Sequence, residues 1–212
     1  MTPRLFALFL LCSLTVGLAA APEVAPEPVP PKNLATVTAE AEASLADMQA
    51  RYLENNPKLH EQRVRVIELR RLQATGNLEP LRLQLARVDL AVMHEHLLAE
   101  HPQLTEQIQA VAAMERQWRA DPASPDVLLE AQGQLAAMRV RYDERHPKVV
   151  DQRRKVEALQ RHLLGASAES YELRLARAMR DYYAGRYGEQ HPKILAMDEQ
   201  IAVLAGTASV KP

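Results

Sequence analysis

The chain has 212 residues, 47% hydrophobic but only 4% aromatic, with seven glycines and one cysteine; that apolar fraction excludes wholesale disorder. The 26 Lys and Arg nearly balance the 27 Asp and Glu, for a formal charge of −1, which argues against nucleic acid, a partner that demands a basic face. Ala, Leu, Arg, Glu and Gln, all good helix formers, dominate the composition and point to an all-α chain.

The first element is an export signal. Arg4 supplies a positive start, "LFALFLLCSLTVGLA" an apolar run, and "GLAA" the small residues a signal peptidase accepts. Residues 1–20 are therefore predicted to be a signal peptide cut after Ala19 or Ala20, because Pro22 hinders a cut directly before it. Leu11 stands before Cys12 where a lipoprotein signal needs a small residue. The competing reading is an uncleaved inner-membrane anchor, since Leu5 to Ala21 is almost long enough to span a bilayer. Cleavage removes Arg4 and the cysteine, leaving 25 basic and 27 acidic residues, a charge of −2. A cysteine-free exported chain has no disulfides and must rest on packing. No second apolar run of membrane length follows, so the expectation is a periplasmic or secreted protein with no membrane span after signal removal.

Residues 21–33 begin "APEVAPEPVPPK", whose alternating prolines fit either a semi-rigid polyproline II tether or a simple N-terminal tail. Beyond them, Pro57, Pro102, Pro147 and Pro192 stand 45 residues apart. Other columns agree. Nine residues before each proline are Met48, Met93, Met138 and Tyr183, and five before are Tyr52, Leu97, Tyr142 and Tyr187. Two after are Leu59, Leu104, Val149 and Ile194; nine after, Val66, Val111, Val156 and Ile201; twelve after, Leu69, Met114, Leu159 and Leu204. A period of this length marks stacked supersecondary units. Repeats are drawn at 34–75, 76–121, 122–166 and 167–206, with a tail at 207–212.

Each repeat reads as two helices. Leu135, Met138 and Tyr142 form a helical stripe that Val149, Gln152, Val156 and Leu159 continue past the proline. The stripe keeps a seven-residue register through 135, 142, 149, 156 and 163, so a kinked long coiled coil is one architecture. An interior proline would cost it about 3 kcal/mol at each break. The preferred architecture is a helix–turn–helix, with His146 or Asn56 as N-cap and the proline at the first helical position. The joints "TGNLEP" (75–80), "ADPASPD" (120–126) and "GASAES" (165–170) read as loops, with Ser124 the expected N-cap before Pro125 and Asp126. The expected fold is an elongated all-α array of eight helices in four two-helix repeats.

Candidate chemistry is sparse. In "HEHLLAEH", His96 and Glu100 are four residues apart and His94 and His101 seven apart, so each pair would share one helical face. Imidazole with carboxylate suits zinc or nickel, but Leu98 stands where a His-Glu-x-x-His motif needs histidine; a solvated helix end is the competing reading. His101, His146 and His191 read either as a ladder of acid–base groups or as caps, and Asn56 in the same column favours caps. Lys58, Lys148 and Lys193 form either a strip for anionic glycan or a solvated face, with Gln103 interrupting. Tyr52, Tyr142 and Tyr187 offer either sugar-stacking rings or packing residues, the latter favoured by the stripe. Trp118 is expected to cover the following joint. Nothing calls for a cofactor, and no nucleophile–base pair or paired acidic motif points to an enzyme.

"LAAMRVRYDERHPKVVDQRRKVEAL" resembles the coiled-coil segment of polysaccharide chain-length determinant and exopolysaccharide export proteins. "YGEQHPKILAMDEQIAVL" fits the same pattern with Tyr187, His191, Pro192, Ile194, Ile201 and Leu204. The first repeat departs with Asn56 and the second with Leu97. The second membrane helix and the Gly-rich phosphate loop of such proteins have no counterpart here, so the resemblance implies an envelope helical element near polysaccharide machinery and not chain-length control. A weaker resemblance is to tetratricopeptide-like helical repeats. The expected function is a non-enzymatic structural or adaptor role in the bacterial envelope, toward a protein partner and with polysaccharide as a further ligand. The alternatives are a tetratricopeptide-like protein-binding scaffold and a small periplasmic metal- or stress-responsive binding protein built on His94 to His101.

Overall fold

The structure, a computed structural model, describes residues 33–76, 78–165 and 167–208; the expected leader and nearly all of the linker lie outside the described residues. The described chain is all-helical: α1 Leu34–Arg51, α2 Pro57–Thr75, α3 Leu81–His96, α4 Pro102–Ala120, α5 Asp126–Arg141, α6 Pro147–Leu163, α7 Tyr171–Ala184 and α8 Pro192–Ala208. Helix α8 thus takes in the first two residues assigned to the tail.

The corners explain why one stripe becomes two helices. At Tyr52, Leu97 and Tyr142 the backbone turns extended (ψ 150°, 143° and 146°), ending α1, α3 and α5. Each N–H closes the last helical turn by donating to the carbonyl of Met48, Met93 or Met138 at 2.9 Å, and Tyr187 does the same to Tyr183 at 2.8 Å. Helices α2, α4, α6 and α8 then open on the prolines, where a missing N–H costs nothing. The tyrosine that continues the stripe in sequence is therefore the residue that stops the helix.

The second helix folds back on the first. Gln62, Gln107 and Gln152 donate their side-chain amides across the corner to the carbonyls of Ala41, Ala86 and Ala131, at 2.8, 2.9 and 2.9 Å. A bond between residues 21 apart along one continuous helix would have to span about 30 Å. The kinked coil is thereby excluded and the hairpin established. The helices pack in chain order, α1 on α2 through α7 on α8, and α3 also touches α5.

Helical spacing puts one apolar column after another into this packing. Leu59, Leu104, Val149 and Ile194 are all essentially inaccessible, at 0%, 1%, 0% and 0%. One cluster joins α1, α2 and α3 around Val66, Leu69, Val88 and Val92. A second joins α3, α4 and α5 around Leu83, Val111, Met114 and Leu129, with Trp118 packed against it. A third joins α5, α6 and α7 around Leu128, Leu135, Val156, Leu159 and Ala178. Helices α4 and α5 pack closely, because Gly133 leaves room for the Met114 side chain and the Ala110 backbone.

Two joints use left-handed glycines, Gly76 (φ 59°) and Gly165 (φ 91°), a conformation that penalises a Cβ. The middle joint corrects an expectation. Ser124 does not cap α5: Pro125 occupies the N-cap, and the buried Ser124 hydroxyl accepts from Gln117 Nε2 at 2.9 Å instead.

Candidate functional site

The corners carry most of the polar residues singled out by the repeat. Asn56 Oδ1 accepts from the Lys58 N–H at 2.9 Å. His101, His146 and His191 do the same through Nδ1, toward the N–H of Gln103 (3.3 Å), Lys148 (3.2 Å) and Lys193 (3.2 Å). Each histidine thus spends one ring nitrogen on its own helix. In the third and fourth repeats the imidazole also stacks on the corner tyrosine, His146 on Tyr142 at 4.1 Å and His191 on Tyr187 at 4.0 Å. The lysine ammonium lies over the same rings, Lys148 at 5.4 Å from Tyr142 and Lys193 at 5.9 Å from Tyr187, within cation–π range. Each of these tyrosine rings is therefore engaged by its own corner. Tyr52 departs from the packing expectation, for it is 45% exposed.

The His94 to His101 cluster comes apart. Helix α3 ends at His96 and Leu97 is extended, so His94 and His96 sit in the last turn of α3 while His101 begins α4. The single helical face assumed for these residues, with Glu100 in the intervening turn, does not exist. Among the described residues no group of three His, Cys, Asp or Glu is placed to hold a metal ion.

His96 has another engagement. Its Nε2 lies 3.8 Å from Glu61, on the preceding hairpin. The same two positions one repeat on are Arg141 and Glu106, which pair directly, and one further are Arg186 and Asp151, paired at 2.7 Å. This clasp ties the C-terminal ends of α3, α5 and α7 to the first turns of the even helix before each. Sequence reading missed it, although it follows from the same alignment, six residues before and four after each proline. At the last clasp Tyr182 donates its hydroxyl to Asp151 at 2.9 Å. Burial, and then this bond, push the phenol above its ordinary range despite Arg186 alongside.

Within hairpins a second charged pair recurs with its signs exchanged: Glu42 with Arg70 at 2.7 Å, and Arg87 with Glu115 at 2.8 Å. Between α6 and α7, Asp181 accepts from His162 at 2.8 Å and Arg161 at 3.2 Å. Burial raises the Asp181 carboxyl, but the hydrogen bonds and charges of His162 and Arg161 outweigh it and hold the group below its usual range.

A concavity lies between α1, α2 and α3, with a volume of about 480 Å³. Val37, Met48, Leu69, Leu85, Val88 and Val92 form its apolar wall, and Lys58, Glu61 and Arg65 part of its rim. The equivalent place one repeat on, between α3, α4 and α5, holds only about 180 Å³. There Gly133 and Ala137 replace Val88 and Val92, and α3 packs directly on α5. Among the described residues no helix is long and apolar enough to cross a membrane. Comparison of the chain with protein-family models, curated proteins and solved structures finds no match.

Proposed function

We propose that the chain is an exported, non-enzymatic helical-repeat scaffold of the bacterial envelope that acts by holding a protein partner in the groove between α1, α2 and α3. The carrying observation is that groove: an apolar wall of six side chains under a rim of both charge signs, wider than its equivalent one repeat on. Such a site suits a short segment with an apolar face flanked by mixed charge. The stacked hairpins favour a binding scaffold, since repeat arrays present continuous surfaces built from neighbouring units. Export rests on the leader expected at residues 1–20, and a place near exopolysaccharide export on the Tyr-x3-His-Pro resemblance.

A photoreactive side chain installed at Val37 or Met48 tests this in cells. It should give one defined protein adduct that the same probe at exposed Glu172 does not. The purified adduct partner should bind the chain in solution at least tenfold more weakly when Val37 is changed to Asp. Adducts that are alike from groove and control positions, or affinity indifferent to V37D, would sink the reading.

A further inference from the structure

We propose that the outer face of α8 receives α1 of a second copy of this chain, in the way that α6 receives α7. On α6 the face toward α7 is marked by contacts: Asp151 takes Tyr182 and Arg186, Arg154 donates to the Gly185 carbonyl at 3.2 Å, and Arg161 and His162 reach Asp181. Helical spacing places Ala158 among them, 4% exposed, and Ala113 holds the same column on α4 at 8%. In α8 that column is Val203, 61% exposed, and Leu195 on the same face is 50% exposed. Glu199 lies between them. The last even helix thus shows solvent the surface that its predecessors cover with the next odd helix.

The first odd helix has the matching vacancy. On α7 the residue set against α6 is Ala178, fully buried; the same column is Val88 at 2% on α3 and a buried Gly133 on α5. On α1 it is Ala43, which is exposed, with Ala39 and Ala46 exposed on the same face. The repeat therefore ends on one half of its internal contact and begins on the other half. Both are exposed, and stacking them continues a contact the chain already makes three times. Repeat arrays bury each unit on its neighbours and need polar ends to stop there; α8 offers apolar side chains instead. The contact is heterologous, so it adds copies in a series that stays open unless its rotation closes a ring. Ala196 stands where Asp151, Glu106 and Glu61 supply the clasp acid, so the joint between copies rests on apolar contact. It does not rest on the groove reading: α1 lines the groove with Val37, Ala41 and Met48, on the opposite side of the helix from Ala43.

Sedimentation of residues 21–212, which retain every described residue, tests the proposal. The average mass should rise with concentration up to several hundred micromolar and persist in about 1 M salt, where the screening length is ~3 Å. V203E and A43E alter exposed positions and should each keep the helical circular dichroism but remain monomeric alone. Mixed, they should form a heterodimer that grows no further, since each retains the half the other lacks. A wild-type chain that stays monomeric throughout that range overturns the proposal. So does a mixture that yields only monomers, and so does an A43E variant that dimerises alone, which would point to an α8–α8 contact.

Discussion

Gln152 and Ala131 are joined across the third hairpin by a side-chain amide donating to a backbone carbonyl at 2.9 Å, and Gln152 is 8% exposed. The same bond recurs from Gln107 to Ala86 and from Gln62 to Ala41. In the fourth repeat the donor is replaced by Met197 opposite a buried Ala176. A net hydrogen bond contributes about 1 kcal/mol. Gln152→Met, which copies the fourth repeat, should therefore lower unfolding free energy by about that amount in a urea titration. Met197→Gln should leave it level or raise it. Equal losses from both changes would show that the latch contributes nothing beyond side-chain packing.

The caps allow a second separation. His146 accepts from its own helix through Nδ1 and also stacks on Tyr142. Asn performs the first task at position 56 and has no ring for the second. His146→Ala should cost about 1 kcal/mol, and His146→Asn should recover most of that. If the Asn variant is as unstable as the Ala variant, ring stacking and not capping is what the histidine contributes.

These two relationships show how far the sequence could be read. The corner was legible because Pro147, Tyr142 and Val149 repeat with their counterparts, and the proline's lost N–H has only one inexpensive place in a helix. Hairpin against coil was harder, since residues 135 to 163 keep a seven-residue register that fits both. What decides it is Gln152 reaching back to Ala131, a bond that no local periodicity announces. Ser124 misled because Ser-Pro-Asp is a sound capping signal locally, while Gln117 from the preceding helix claims its hydroxyl. His96 misled in the same way, for its partner Glu61 lies 35 residues earlier in the chain. In both cases the competing partner sits on the preceding helix.

His96 can be tested directly. It pairs with Glu61 only when protonated, whereas Arg141 and Arg186 in the same position are charged throughout the ordinary range. His96→Arg should therefore stabilise the fold by a few tenths of a kcal/mol. Micromolar zinc should leave Tm unchanged in both proteins. A zinc-dependent rise in the wild type that H96R abolishes would restore the metal reading.

Asp181 sets a pH dependence of definite sign. Its carboxyl is held below the usual range because His162 and Arg161 outweigh the effect of burial. A folded value below the unfolded one, about 3.9, means the carboxylate stabilises the fold fully above that value. The contribution is lost as the pH falls through the lower, folded value. Asp181→Asn should be less stable than the wild type at pH 6, and the gap should close below about pH 4. A gap that stays constant across that interval would assign the loss to geometry and not to charge.

Gly133 sits where α5 packs against α4. A Cβ added at Gly133 would strike Cε of Met114 and stand 3.2 Å from its Cγ and 3.3 Å from the Ala110 carbonyl oxygen. The methionine can swing away, but the α4 backbone cannot without moving the helix. Gly133→Val should therefore destabilise by about 1–3 kcal/mol, the usual cost of overpacking, despite the helix propensity gained by removing glycine. Met114→Ala alone opens a cavity and also destabilises. The double variant should be more stable than the sum of the two losses implies, because the valine enters space the methionine has left. Additive losses would mean that the Ala110 carbonyl, and not Met114, sets how near α5 can come to α4.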